Sequence, residues 1–431
     1  MKNLLEKINN KLNDQGGFLK AVSILAGGTA FAQMLGILTL PILTRLYSPE
    51  EFSVFAIYSA ILGAITVISC LRFDIAIPIP DKDSTAINLI ILSLLSNFAL
   101  TLTLTLIIFF SNDYIFSLFN DSSFIKFIWL IPIGFFLSGL YNAFQFWHTR
   151  KKNFKIIAET RVFQSVSSSI IQILMGILGA GVLGLIIGQV VNFAAGVFKL
   201  ILKFRTESLS LFKNINIKNI KSDFKEYDKF PKFSTLEALA HSSSMHLPIV
   251  VIGTFLLGPE AGYILLAMKV MTIPMSLIGN SIAQVYLANA PIYYRDGKLF
   301  NYSLTIVKKI LKISLIPILL IGIGSYFLFT VFFGEQWAPA GKIAIYLVPW
   351  ILMQLLSSPI TMALHVIGKQ KIAMLLHFFG FFIRVIILII IGFTAPYYLI
   401  KYFAFSGFIF YLLYLIVILN IIHKSENEFY E

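Results

Sequence analysis

Long apolar runs alternate with short polar segments along almost the whole chain. Each run is close to the ~20 residues that an α-helix needs to cross a bilayer. The pattern therefore predicts an all-α integral membrane protein with about 12 transmembrane helices. The predicted spans are 21–43, 52–71, 86–110, 124–147, 157–178, 182–202, 233–257, 262–288, 303–332, 343–366, 372–393 and 397–422.

A polar, basic segment divides these helices into two sets of six. We predict a cytoplasmic N-terminal segment at 1–20, an N-lobe at 21–202, a basic cytoplasmic linker at 203–232, a C-lobe at 233–422 and a cytoplasmic C-terminal tail at 423–431. The N-terminal segment is polar, so it does not resemble a cleavable signal. The linker is expected to follow the membrane surface and to let the lobes rock as rigid bodies.

Composition excludes an ordinary soluble domain. Hydrophobic residues make up 58% of the chain and charged residues 13%, with a mean hydropathy of +0.84. A lone cysteine, Cys70, can form no internal disulfide. The chain is a polytopic membrane protein, and the surrounding lipid bilayer is its first partner.

The basic residues indicate the orientation of the helices. Most of the 34 Lys and Arg fall in the loops that share a side with both termini, whereas the opposite loops hold only Arg45, Lys342 and Lys401. Because Lys and Arg accumulate on the cytoplasmic side, both termini are predicted to be cytoplasmic. Topology thus accounts for most of the +13 net charge, and no nucleic acid partner is expected.

The two halves resemble each other. Pro49 opens the second predicted span in Leu46–Phe52, and Pro259 opens the eighth in Leu256–Gly262. Because each half holds an even number of spans, the copies are parallel repeats related by an axis along the membrane normal. That arrangement predicts a central cavity between two six-helix lobes.

Specific motifs extend this picture. The segment Pro41–Phe52, followed by Leu71–Ile77, and the segments Phe146–Lys155 and Gly181–Gln189 resemble the polysaccharide flippase (Wzx-like) family. That family belongs to the multidrug/oligosaccharidyl-lipid/polysaccharide exporter superfamily. The resemblance implies a V-shaped cavity, alternating access, and translocation of undecaprenyl-diphosphate-linked oligosaccharide repeat units, such as O-antigen, to the periplasmic leaflet of the bacterial inner membrane. It also makes a polysaccharide polymerase and a chain-length regulator candidate partners.

Two cations within predicted spans are candidates for the diphosphate site. Lys269 lies about two turns into the eighth span and Arg384 near the middle of the eleventh. A charge within a membrane helix needs a wet cavity or a partner, and both residue types bind phosphate. The alternative is that each cation pairs with a neighbouring helix for packing alone.

A polar stripe on the seventh span includes Glu237 and His241, one helical turn apart. A carboxylate beside an imidazole can exchange protons near neutral pH, which suits proton-coupled export. The alternative is a hydrogen-bonded pair that only lines the inner mouth of the cavity.

The fifth span carries a second stripe, formed by Arg161, Ser165, Ser168 and Gln172. Such groups can hydrogen-bond the hydroxyls of a glycan. They also join helices to each other inside membranes, so both interpretations stay open.

Two further groups of residues are assigned structural roles. Arg72 and Asp74 fall at the cytoplasmic end of the second span and are predicted to form an inner gate or lobe-packing element. Trp337, with Tyr397 and Tyr398, is predicted to anchor the protein at the outer membrane interface.

Rival functions predict other features. A cation-coupled multidrug exporter of the same superfamily is the first alternative, and a membrane glycan polymerase or ligase is the second. The polymerase needs a large periplasmic loop with catalytic charges, and the predicted outer loops are short. No catalytic residue, metal-ligand spacing or nucleotide-binding motif is recognised, so no enzyme activity, metal or cofactor is expected.

Overall fold

The computed structural model describes residues 18–111, 122–208, 216–272 and 279–430. No β-strand occurs among them. The principal helices are α1 (Phe18–Leu46), α2 (Pro49–Thr66), α3 (Asp83–Phe110), α4 (Leu130–Arg150), α5 (Phe154–Ile177), α6 (Val182–Ser208), α7 (Ile217–Glu226), α8 (Thr235–Leu256), α9 (Glu260–Met271), α10 (Asn280–Arg295), α11 (Leu299–Phe333), α12 (Ala338–Ser357), α13 (Gln370–Phe381), α14 (Ile387–Thr394) and α15 (Leu399–Tyr430).

Short helical segments connect several of these elements. Single turns of α-helix occur at Phe73–Ala76, Ser122–Ile125 and Ala363–Val366, and 3₁₀ turns at Glu335–Trp337, Ser358–Met362 and Pro396–Tyr398. The π-helical segments Phe230–Ser234 and Phe382–Ile386 lie directly before α8 and between α13 and α14, respectively.

Length and apolar composition identify 8 membrane-spanning helices within the described part of the chain. They confirm a multi-pass, nearly all-helical membrane protein, as the hydropathy pattern predicts. Their bounds are Ile24–Leu46, Asp83–Phe110, Val182–Thr206, Phe230–Leu256, Leu299–Phe333, Glu335–Met362, Lys371–Thr394 and Pro396–Glu426.

Contacts divide the chain into two compact units. Unit 1 comprises Met1–Leu46 and Leu62–Leu239, and unit 2 comprises Tyr47–Ile61 and Ala240–Glu431. In unit 1, α5 packs against both α1 and α6, and α4 packs against α3 and α6. A buried cluster there includes Trp147 and Phe204, whose ring centroids are 5.5 Å apart.

In unit 2, the central element is α12, which packs against α9, α11 and α15. Its side chains Trp350, Ile351 and Leu355 are fully buried. Trp350 meets Phe403 of α15 edge to face, with ring centroids 5.0 Å apart. Helices α9, α11 and α15 therefore surround α12, and the residues around Trp350 form part of the interior of unit 2.

Helix α7 of the predicted linker is part of unit 1 and packs against α3. Asn216 caps the start of this helix by accepting a hydrogen bond from the Lys218 amide. Deeper in the interface, Asn88 of α3 donates a 2.7 Å hydrogen bond to the buried Asp223 carboxylate. Helix α7 is thus fixed to unit 1 by a polar bond that water does not reach.

The start of α2 explains the motif shared by the two halves. The Ser48 hydroxyl accepts from the Glu51 amide at 3.2 Å, and the Glu51 carboxylate accepts from the Ser48 amide at 2.8 Å. This reciprocal capping box satisfies two amides that the first turn leaves unpaired. In the equivalent segment, Gly262 lies against this turn, where an added Cβ would be 2.4 Å from the Pro49 carbonyl oxygen.

Two expectations are corrected by the structure. Helix α2 ends at Thr66 instead of continuing to 71. Beyond it, the amides of Ile68, Ser69 and Leu71 bond carbonyls three residues back, and Leu71 and Arg72 then adopt positive φ angles of 48° and 63°, which an α-helix does not accept. Trp337 is not an interfacial anchor. It is completely buried and packs on Phe52 and Tyr263, with centroid separations of 4.8 and 5.9 Å.

Candidate substrate-binding site

Arg384 occupies the interior of unit 2. Its side chain is 0% exposed and extends from the π-helical segment between α13 and α14. The guanidinium carbon lies 4.2 Å from the ring centroid of Trp350 and 5.8 Å from that of Phe403. Aromatic faces attract a cation electrostatically, and the attraction is strongest where water is excluded.

The guanidinium lacks the partner that a buried charge normally has. Nη1 lies 3.4 Å from the Met245 sulfur, a weak acceptor, while Nε and Nη2 have no hydrogen-bond partner. Among the described residues, no carboxylate lies within ion-pair distance of Arg384. Because desolvation of an unpaired charge costs several kcal/mol, this arrangement suits a residue that receives an anion from outside.

A histidine pair lies close to this arginine. Nδ1 of His241 on α8 is 3.1 Å from Nδ1 of His377 on α13, and the ring centroids are 4.4 Å apart. His377 also lies against Tyr414, at 5.7 Å between centroids. Two imidazole nitrogens at this distance share one proton, because a hydrogen bond needs one donor and one acceptor.

The predicted partner of His241 is placed one turn earlier on the same helix. Glu237 is half-buried on α8. The ring of His241 faces His377, so the structure adds an unpredicted histidine to the pair that the sequence pattern indicates.

Lys269 has a different environment from Arg384. Its side chain is exposed at the surface of α9, and Nζ lies 5.5 Å from the ring centroid of Phe55. The ammonium therefore remains accessible to a ligand. Both predicted cations thus belong to unit 2, where Arg384 is buried between aromatic rings and Lys269 is exposed.

The polar stripe of α5 lies between α1 and α6. Arg161 donates to the Thr29 hydroxyl, Ser165 donates to the Ala32 carbonyl at 2.8 Å, and Gln172 donates to the Leu185 carbonyl at 3.2 Å. Ser168 is half-buried on the same helix. These bonds join neighbouring helices, as polar side chains commonly do in membranes.

Arg72 and Asp74 belong to the turn that follows α2 in unit 1. Asp74 is 3% exposed, so this carboxyl group lies in the protein interior. Burial raises the pKa of Asp74 above its ordinary value, and the nearby charge of Arg72 offsets part of the rise. The two side chains are electrostatic neighbours, and the turn that holds them has positive φ angles at Leu71 and Arg72.

Several residues of the site were not singled out by the sequence analysis. His377 precedes Arg384 by seven residues, a spacing that places two residues on one helical face. The sequence therefore contained the information needed to predict His377 as a neighbour of Arg384. Trp350 and Met245 gave no comparable signal, because their relation to Arg384 depends on packing between separate helices. In the described part of the chain, no group of three or more His, Cys, Asp or Glu is arranged to hold a metal ion.

A family model described as "Polysaccharide biosynthesis protein" matches residues 42–342. This match covers well over half of the chain. The chain belongs to the polysaccharide biosynthesis protein family. The family membership agrees with the motifs at Pro41–Phe52 and Phe146–Lys155. The comparison with curated protein sequences found no match for this chain.

Solved structures share the fold of this family member. An inward-facing multidrug resistance MATE transporter of the MOP superfamily is 14% identical with a TM-score of 0.71, covering 92% of this chain and 96% of that one. The lipid II flippase MurJ, in an inward closed conformation, is 16% identical with a TM-score of 0.66, covering 93% and 90%. A MOP superfamily transporter from Pyrococcus furiosus is 15% identical with a TM-score of 0.56, covering 94% and 96%.

Proposed function

We propose that this protein is a flippase for undecaprenyl-diphosphate-linked oligosaccharide repeat units. It carries them from the cytoplasmic to the periplasmic leaflet of a bacterial inner membrane, with both termini in the cytoplasm. The units are those of O-antigen or a similar surface polysaccharide. Translocation proceeds by alternating access and makes or breaks no covalent bond.

Membership of the polysaccharide biosynthesis family supports the substrate class. The fold supports the mode of action, since MurJ is a lipid II flippase and shares it over 93% of this chain. A polysaccharide polymerase and a chain-length regulator are the partners we propose on the periplasmic side, because the exported units need assembly there.

The observation that carries the proposal is the unpaired guanidinium of Arg384. A diphosphate brings the negative charge that this buried cation lacks, and its oxygens are acceptors for Nε and Nη2. The stacking on Trp350 keeps the planar group in one orientation, so less conformational freedom is lost when the anion binds. Lys269 is the second, more accessible cation for the same substrate.

We further propose that His241 takes part in proton coupling, together with Glu237 on the preceding turn. The His241–His377 pair supports this role, since histidine changes its charge near neutral pH and full protonation of the pair would remove the acceptor of its hydrogen bond. Arg384 places a positive charge near the pair, so proton release and anion departure are linked electrostatically.

The remaining predicted residues have supporting roles in this proposal. Arg161, Ser165, Ser168 and Gln172 are proposed to form a polar surface toward the glycan, which requires the bonds of Arg161, Ser165 and Gln172 to α1 and α6 to open. Arg72 and Asp74 act as an inner gate or a lobe-packing element, and the burial of Asp74 supports the second role.

A multidrug exporter is the alternative that the MATE fold favours, with a TM-score of 0.71. Cationic drugs need negative charge in the binding site. The interior of unit 2 instead holds Arg384, whose charge repels a cation, so an anionic substrate is the better chemical match. A glycan polymerase or ligase is the alternative from another class, and its products would be longer glycans.

Deletion of the gene tests the proposal directly. We expect single undecaprenyl-diphosphate-linked repeat units to accumulate in the cytoplasmic leaflet, and to reach the periplasmic leaflet again when the intact protein is restored. Accumulation of single units in the periplasmic leaflet indicates a polymerase instead. Unchanged surface polysaccharide together with greater drug sensitivity indicates the multidrug exporter.

A further inference from the structure

A surface groove lies between α12 and the beginning of α15 in unit 2. Its volume is about 620 Å³. Aromatic and apolar side chains form most of its walls, and one basic side chain contributes. The lining includes Tyr346, Pro349, Lys401, Tyr402, Phe405 and Phe408.

The groove changes in polarity along α15. Lys401, Phe405 and Phe408 follow at steps of four and three residues, so they share one face of the helix. Tyr398, Lys401 and Tyr402 provide the polar groups near the first turn, and the phenylalanines follow. From Lys401 to Phe408 the helix rises roughly 10 Å. One end of the groove therefore offers hydrogen-bond donors, and the other offers only hydrocarbon.

Its apolar side chains lie at the protein surface. Tyr402 is 45% exposed and Phe405 58% exposed, as other surface side chains of the membrane-spanning helices are. Tyrosines of this kind favour the boundary between headgroups and hydrocarbon, where the ring is apolar and the hydroxyl is wet. The groove thus has the two-part character of a lipid molecule.

The basic group is available for a ligand. Nζ of Lys401 lies 5.8 Å from the ring centroid of Tyr398, and no described carboxylate forms an ion pair with it. An ammonium in this position attracts a lipid phosphate. An anionic phospholipid such as phosphatidylglycerol carries one net negative charge, which one lysine balances. A zwitterionic phospholipid already carries its own cation, and a prenyl diphosphate carries more negative charge.

We propose that this groove binds one anionic phospholipid, with its phosphate beside Lys401 and an acyl chain along Phe405 and Phe408. The proposal goes beyond the flippase function and does not depend on it. The bound lipid is a component of the membrane and is not the transported substrate.

Native mass spectrometry of the full-length protein in detergent tests this assignment. Phosphatidylglycerol and phosphatidylcholine with identical acyl chains serve as probes. We expect one phosphatidylglycerol to be retained per chain in preference to phosphatidylcholine. Lys401→Gln should weaken phosphatidylglycerol binding about fivefold, the effect of one surface lysine, and leave phosphatidylcholine binding unchanged.

Lys342→Gln is the matched control. Its Nζ lies 5.4 Å from the ring centroid of Tyr326, a similar cation–π contact, but Lys342 does not line the groove. It should bind phosphatidylglycerol like the unaltered protein, and Lys401→Arg should restore the preference. Phe405→Ser should weaken both lipids, since it shortens the apolar wall.

Three results overturn the proposal. The first is an unchanged phosphatidylglycerol preference in Lys401→Gln, and the second is an equal loss in Lys342→Gln. The third is displacement of phosphatidylglycerol by undecaprenyl phosphate at equal concentration, which assigns the groove to the prenyl carrier. Equal thermal unfolding midpoints for the lysine variants ensure that the comparison concerns binding.

Discussion

Arg384 stacks on Trp350 with its guanidinium carbon 4.2 Å from the ring centroid. Both side chains are completely buried in unit 2. An aromatic face compensates a buried cation only in part, since a stacked pair contributes about 2 kcal/mol while desolvation of the charge costs more. Burial of this charge therefore costs folding stability, and an anionic ligand would offset that cost.

Replacement of Trp350, on which Arg384 stacks, should show whether transport depends on the orientation of the guanidinium as well as on its charge. Trp350→Leu removes the aromatic face and should reduce transport of lipid-linked repeat units, because the guanidinium is no longer held in one plane. Trp350→Phe keeps an aromatic face and should retain more activity. Surface polysaccharide normalised to protein level is the measurement. Equal activity in the two variants would show that the stack plays no part in transport.

The histidine pair predicts a dependence on the pH gradient. In proteoliposomes, an imposed gradient should accelerate transport by the unaltered protein, and His377→Gln should lose most of this acceleration because glutamine cannot bind or release a proton near neutral pH. His241→Gln should have the same effect. His246→Gln on α8 is the control, because His246 does not belong to the pair. Transport that is indifferent to the gradient in the unaltered protein would contradict the coupling.

The bond between Asn88 and Asp223 should stabilise the docking of α7. Asn88→Ala leaves a buried carboxylate without its donor, which costs about 1–3 kcal/mol in the free energy of unfolding. Asn219→Ala changes an exposed residue of α7 and should have little effect. Urea unfolding in detergent measures both. A small loss in Asn88→Ala, equal to that of the control, would mean that another contact holds the helix.

Close packing at Gly262 predicts sensitivity to a single methyl group. Gly262→Ala places a Cβ 2.4 Å from the Pro49 carbonyl oxygen and should destabilise unit 2 by about 1–3 kcal/mol. Gly324→Ala is the matched control, since the added Cβ would lie 3.5 Å from Leu328 Cδ1, an ordinary van der Waals contact. Thermal unfolding should separate the two variants. A tolerated Gly262→Ala would show that the turn at Pro49 can move aside.

Hydropathy predicted the helical membrane fold because bilayer thickness imposes a length on every span. The break after α2 escaped prediction, since Leu71 and Arg72 are not residues that usually mark a left-handed turn. Trp337 was misjudged for a related reason. The indole ring of tryptophan is amphipathic, so it fits a membrane interface as well as a protein core. Only the contacts with Phe52 and Tyr263 show that Trp337 belongs to the core.

The sequence predicted those residues of the candidate site that stand out within a single helix, and it missed those that meet only through packing between helices. Arg384 was recognised because any charge in an apolar span is conspicuous. Its surroundings depend on residues from α8, α12 and α15, which no spacing within one helix connects. Met245 and Trp350 therefore emerged only from the structure.

The most direct test of the central claim measures stability and transport together in Arg384→Met. This change keeps an unbranched side chain but removes the unpaired charge, as Arg295→Met does at an exposed position. If Arg384 exists to bind the diphosphate, Arg384→Met should unfold at the same or a higher temperature and should fail to deliver repeat units to the outer leaflet, while Arg295→Met transports normally. Normal transport by Arg384→Met, or loss of transport with a markedly lower unfolding temperature, would contradict the account.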